Sequence, residues 1–367
     1  MRAIPSIAPV REGFGQVTPT SFSVTSPAPR AAWHEILATD SSVLRSQTPE
    51  WLDTVCEVGG WEDASRLYTS PSGRRLILPM VARRLANLTM VEQSLPVGWG
   101  FGGLVGMPTL EEVEGVCEDL ARRRVMLQSL RPNMLQGEIW SRALAGRGAQ
   151  MVLHRGHAID LGDGIDAVRK RFSERGRRGV RIAEREGVEV ERDTTGSSLD
   201  VFVELWQESL RRWAKQEREP VWLARSRARL NDPSRWRHVI ERSPGSVAVW
   251  IARHRGQAIA GIVVLEGPND HYTHGAMIKE LAAPTHANYL LHLHAIENAQ
   301  RRNARWYQMG RSGTGDDPVG RFKENFGAIA YVYPEFRFER TPTMRLTRRA
   351  RASVRSVITV ASRRLAR

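Results

Sequence analysis

Three strand-length segments at 246–254, 258–266 and 271–277, then a helix-length one at 286–302 and a strand at 304–310, constrain this chain more than any other stretch. SVAVWIARH and AIAGIVVLE meet at Arg255-Gly256-Gln257, a connection that makes an antiparallel hairpin, and HYTHGAM follows the turn-forming Gly267-Pro268-Asn269-Asp270. Three strands therefore meander in order. Thr285 is the expected cap of the helix, and Leu290, Leu293 and Ile296 recur at helical spacing, so one helix face should pack on that sheet. A Gly/Asp loop, the segment RFKENFG at 321–327 and a last strand at 328–338 complete the series.

Upstream, Thr48, Pro49 and Glu50 form a helix start: the threonine caps open N–H groups, proline suits the first position and glutamate complements the dipole. Trp51, Leu52 and Val55 should face a core. SRLYTS and RRLILPM flank Pro71-Ser72-Gly73 and read as a hairpin. A glycine-rich stretch (98–106), a helix at 109–124 and a strand at 125–130 follow. Beyond a strand at 150–160, residues 164–186 read as one basic helix, 198–215 as an amphipathic one and 233–242 as a short one. The two sides of residue 150 thus share a loose order of elements. The expected organisation is a disordered tail (1–27), two related units (28–150 and 151–340) and a basic C-terminal tail (341–367).

The net charge of +14 is concentrated in two places. Residues 345–367 hold eight arginines and no acid, and 169–181 hold seven basic residues and one glutamate. A DNA-coating protein would spread basic residues over a broad face, so local anion binding fits better. Two cysteines, Cys56 and Cys117, supply neither a disulfide framework nor a metal set, which favours a reducing, cytoplasmic setting. No segment approaches the ~20 apolar residues of a membrane span. The C-terminal segment, with Leu346, Val354, Val357, Ile358 and Val360 among arginines, leaves three readings open: contact with an anionic membrane surface, contact with RNA, or a disordered tail.

The strand, helix and strand order of the second half resembles a GNAT-type acyltransferase core. RRGVRIAEREGV (177–188), HYTHGA (271–276), ANYLLHLHAIENA (287–299) and the 310–327 segment with its RFKENFG resemble the Fem-type branch over roughly 30–340. The resemblance implies a fold of two GNAT-like units, α/β (α+β) in class, each a mixed, mostly antiparallel sheet flanked by helices. It implies N-acyl transfer from an acyl-CoA or an aminoacyl-tRNA donor to an amine, such as that of a cell-envelope precursor, with no metal. The usual basic, glycine-rich acyl-CoA loop is missing: Ala283-Pro284-Thr285-His286-Ala287-Asn288 contains neither glycine nor arginine. The long helical-hairpin insertion of some tRNA-using members is also lacking.

By the same resemblance Lys323 is the catalytic candidate, its ammonium stabilising negative charge on the reacting carbonyl oxygen, and Tyr272 a donor to the leaving group or a wall of the acceptor channel. Asp317, with Asp316, could relay a proton, against an ordinary turn reading. Arg178 and Arg181 match basic positions suited to phosphate, and Asn288, Gly310 and Ser312 join them as substrate-binding candidates. Each has a plainer reading as a solvated charge, a core tyrosine or a turn residue. GWGFGG (98–103) formally matches GxGxxG, yet it does not sit in a strand-to-helix unit, and the resemblance implies instead a flexible wall of the acceptor cleft. His292 and His294 lie ~200° apart on a helix, and His271 and His274 should point to opposite faces of a strand, which discourages a metal. The competing functions are an acetyl-CoA-dependent GNAT N-acetyltransferase with a degenerate phosphate loop, and a non-enzymatic membrane- or RNA-binding module. Peripheral placement at the inner membrane face goes with the tail reading.

Overall fold

The computed structural model describes residues 22–85, 88–147, 149–229, 232–313 and 317–339. The basic tail and Asp316 lie outside them. In chain order the strands of the first half are β1 (Ser23–Thr25), β2 (Glu62–Asp63), β3 (Arg66–Thr69), β4 (Arg75–Leu78), β5 (Val81–Leu85), β6 (Leu88–Gln93) and β7 (Leu127–Leu130). Those of the second half are β8 (Gln150–Asp160), β9 (Glu189–Asp193), β10 (Val247–His254), β11 (Gln257–Leu265), β12 (Asp270–Met277), β13 (Trp306–Ser312) and β14 (Ile329–Glu339). Strands β1, β3 and β4 make a small sheet; the other eleven form one continuous sheet, ordered β2-β5-β6-β7-β14-β8-β13-β12-β11-β10-β9.

The repeat suspected from the sequence is a repeat of topology. The β5–β6 hairpin leads through helix Leu110–Arg122 to β7, which lies parallel to β6; then helix Gly137–Ala143 leads to β8. The β11–β12 hairpin leads through helix Ala287–Arg301 to β13, parallel to β12; then helix Pro318–Glu324 leads to β14. The last strand of each series crosses over: β8 pairs with β13, and β14 pairs with β7. β8 and β14 pair with each other from Gln150↔Arg337 to Ala158↔Ile329 and so stitch the halves together.

Strand β10 shows why the middle of the sheet is so apolar. Val247, Val249 and Ile251 enter one core and Ala248, Trp250 and Ala252 the other, because helices cover both faces. Helix Pro49–Gly59 starts as expected, with Thr48 Oγ1 accepting from Trp51 N–H, and buries Trp51, Leu52 and Val55.

Three local expectations need correction. Residues 22–27, assigned to a tail, contain β1, which pairs with β3. The basic segment is two helices, Ile165–Arg171 and Glu174–Arg185. Burial of Phe172 against Phe326 (5.3 Å between rings) turns the chain out of the helix, and Ser173 Oγ caps the next one by accepting from Gly176 N–H at 3.0 Å. Thr285 does not cap the helix after it: its hydroxyl donates to Leu281 O at 3.0 Å, and His286, at φ 54°, occupies the cap position.

Candidate functional site

Strands β12 and β13 are parallel neighbours for two residue pairs, Asp270↔Tyr307 and His271↔Gln308, and then part. Each carries an irregularity at that point. On β12 the register with β11 slips between Val263 and Val264, leaving Thr273 as the extra residue, its hydroxyl donating to Val263 O at 3.1 Å. On β13 the register with β8 slips between Gln308 and Arg311, and Gly310 takes φ 68°, a conformation costly for any residue with a Cβ. The parting opens a cavity of about 260 Å³.

Lys323 secures this opening. Its side chain is 2% exposed, and Nζ donates to Gly310 O at 3.0 Å and Arg311 O at 2.6 Å, satisfying carbonyls of the bulged strand. Burial lowers its pKa to about 8, against the opposing pull of Asp317. Phe322 and Phe326, one helical turn apart, pack on Tyr289 and His292 with ring centroids 5.0–5.6 Å apart. The RFKENFG segment therefore anchors itself by its phenylalanines and turns its lysine to the strand.

Tyr272 lines the cavity together with Gly310, and its ring meets His292 edge-on at 4.8 Å. Its hydroxyl lies over Gly275, where a Cβ would come within 2.3 Å of it. Burial holds the phenol near 12, so it keeps its proton and can donate at neutral pH. Burial, with the Lys323 charge behind it, pushes His271 and His292 down to about 3, so both imidazoles are neutral. The fold thus brings Lys323, Tyr272 and Gly310 together, with Tyr272 and Gly310 lining the cavity and Lys323 bonded to the Gly310 carbonyl without lining it.

The remaining candidates are placed otherwise. Asp317 caps helix Pro318–Glu324, with Oδ2 accepting from Gly313 N–H at 2.8 Å and Gly320 N–H at 3.0 Å; its carboxylate shapes the loop. Ser312 is buried at the end of β13, its hydroxyl close to Arg155 O and Gly313 O. Asn288 donates to Met277 Sδ at 3.1 Å. Arg178 and Arg181 are exposed on helix Glu174–Arg185 and do not line the cavity; Arg181 borders a separate hollow of about 240 Å³ with Arg169 and Leu293, and Arg178 lies near His286. Burial pushes the Cys56 and Cys117 thiols up to about 12.

Sequence reasoning missed most of the opposite wall. Phe101, Arg131, His154, Tyr333 and Glu335 come from the 97–103 loop, the end of β7, β8 and β14. Of these only the glycine loop had a local signal, and its Gly98, Gly100 and Phe101 line the cavity beside Val97. Behind the wall Gln308 Nε2 donates to Asn133 Oδ1 at 2.8 Å, and Asn133 Nδ2 donates to Ser42 O at 2.9 Å, so buried amides join the halves beside the opening.

Residues 169–324 match the acetyltransferase (GNAT) domain family, and of the residues that line the cavity His271, Tyr272, Thr273, Gly310 and Arg311 fall within that stretch. The chain is also similar to the crystal structure of FemX, with a TM-score of 0.61 and 11% identity over 86% of this chain and 97% of that one. Residues 169–324 are thus similar to a GNAT acetyltransferase domain, and the chain as a whole shares its fold with FemX. Other solved structures align at lower scores: a tandem GNAT protein from the clavulanic acid biosynthesis pathway (TM-score 0.45, 14% identity, 88% and 99% of the two chains) and L-PGS from Bacillus licheniformis (0.44, 11%, 88% and 95%). No curated protein matches by sequence. The GNAT match ends at Glu324, just past Lys323, so the lysine lies inside the domain and the closing strand β14 beyond it.

Proposed function

We propose that this protein transfers an acyl or aminoacyl group from an activated donor to an amine by direct attack in the cleft between its two halves. The observation that carries the reading is the pair of parted parallel strands whose bulge is held open by a buried lysine. Backbone groups of β12 beyond His271 have no ladder with β13 and are free to hold an extended donor arm. An uncharged amine attacks the donor carbonyl, the bond to the thiol or ribose oxygen breaks, and the departing group takes up the proton the amine loses. Lys323 supports the developing oxyanion with its charge, and Tyr272 donates toward the leaving group.

The GNAT match favours an acyl-CoA donor. The 283–288 segment, which lacks glycine and arginine, and the cap of the following helix at His286, which makes no side-chain capping bond, favour a donor held elsewhere, such as an aminoacyl-tRNA. A cell-envelope precursor amine is the acceptor class the Fem-type resemblance implies, with the basic tail bringing the enzyme to anionic lipid. Thermal-shift titration and mass spectrometry with acetyl-CoA and with alanyl-tRNA separate the donors. Failure of both to bind or be consumed would sink the transferase reading.

A pH profile tests the lysine's part. Transfer that needs the ammonium form is expected to fall as pH rises through about 8. Stability should move the other way. With the folded pKa near 8 and the ordinary value at 10.5, the unfolded chain binds more protons between those limits, so this group makes the fold more stable as pH rises across that window. Both trends should vanish in Lys323→Met.

A further inference from the structure

The wall of the cleft opposite the parted strands concentrates basic groups on one carboxylate. Glu335 Oε2 lies 3.3 Å from both Arg131 Nη2 and His154 Nε2, and Oε1 accepts from Arg337 Nη2 at 2.6 Å. These groups come from three strands of both halves, the end of β7, β8 and β14, and are mostly buried. Glu335 is held well below the usual carboxylate range: burial alone would raise it, but His154, Arg131 and Arg337 outweigh that. Among the described residues, Arg311 on the same cavity has no ion-pair partner, and Glu335 is the only acid in the lining. The positive charge therefore exceeds the negative in a space of small-molecule size.

A second cavity of about 360 Å³, bordered by Gln150, Val152 and Arg337, shares His154 and Glu335 with the first. The cluster is thus a partition between two spaces, with guanidinium groups reached from either side. Guanidinium groups bind carboxylate and phosphate through paired N–H donors, and a carboxylate already taking three basic partners leaves donors over for a second anion.

Resting on the transferase reading above, we propose that Arg131, Arg311 and Arg337, gathered about Glu335 and His154, form an anion subsite of the acceptor half of the cleft. The acceptor is then an amine that also carries a carboxylate or a phosphate. The anion docks at the partition, the amine reaches toward Gly310, and any further portion of the molecule extends into the second cavity. The subsite selects against simple amines, because an amine without an anion leaves the excess guanidinium charge of this wall without a partner.

The test is calorimetric binding to the full chain of matched pairs, 4-aminobutyrate against 4-aminobutyramide and O-phosphoethanolamine against ethanolamine, followed by the same pairs as acceptors. The anionic member should bind at least ~10-fold more tightly, the equivalent of one charge-assisted hydrogen bond. Whichever pair shows the larger gap identifies carboxylate or phosphate. In Arg131→Gln and, separately, in the more exposed Arg337→Gln, the ratio should fall to about 2-fold or less. Equal affinity within both pairs, including no binding of either member, or an undiminished ratio in both folded variants, overturns the proposal. Transfer to neutral amines without preference would sink the subsite alone; an anion preference with no transfer to any amine would sink the transferase reading alone.

Discussion

Lys323→Ala is expected to slow transfer by about 10²–10³-fold, the size of effect seen when one group that supports an oxyanion is removed. The same change should lower stability by about 1–3 kcal/mol, since it leaves the Gly310 and Arg311 carbonyls without their donor in a buried place. The two effects separate in Lys323→Met, which keeps an unbranched stem of similar length but removes the charge. Single-turnover rates in that variant should be as low as in the alanine variant, with a smaller loss of stability. Transfer at the wild-type rate in folded Lys323→Met would show that the lysine is only a strut for the bulge.

Gly137→Ala is expected to be the most damaging conservative change in the molecule. Gly137 opens the helix before β8, with φ −56°, so alanine suits its backbone and by helix propensity alone would gain about 1 kcal/mol. Packing reverses the sign. A Cβ there would stand 2.1 Å from Val332 O and 2.8 Å from the Tyr333 Cα, both backbone atoms of β14, which cannot yield as a flexible side chain would. A loss of about 3 kcal/mol or more follows, because a helix of the first series must separate from the strand that closes the second. Chemical denaturation should show it as a lowered midpoint. An unchanged or raised midpoint would mean that the two halves are not locked together at this crossing.

The parts legible in the sequence are those whose signal is local. The Arg255-Gly256-Gln257 hairpin, the Thr48 cap and the apolar helix face of 286–302 depend on neighbours within a few residues, and each element formed near its expected place. The division of the basic segment at Phe172 was hidden because the cause is remote: a ring buried on Phe326, in the segment that precedes the last strand. The exchange of β8 and β14 has no local signal either, since a buried strand reads the same whichever partner it meets. For the cleft, the Fem-type resemblance carried by RFKENFG pointed to Lys323, while its bonding to Gly310 and Arg311 required the bulge to be seen. Arg178 and Arg181 illustrate the converse: a motif match fixed their residue type, while packing of their helix left them outside the cavity. Arg131, His154 and Glu335 are separated by up to 204 positions and meet only because the last strands cross between halves.

The claim on which the rest depends is that donor and acceptor meet where β12 and β13 part. Thr273 lies on that cavity and is partly exposed, while Cys56 and Cys117 are held as unreactive thiols, so Thr273→Cys offers a single reporting site. The decisive measurement is the rate of maleimide labelling of Thr273→Cys with and without acetyl-CoA or alanyl-tRNA, followed by a transfer assay on the labelled protein. The account expects whichever donor is used to slow labelling and the label to abolish transfer. A labelled protein that transfers at the unlabelled rate, with labelling indifferent to both donors, would contradict it.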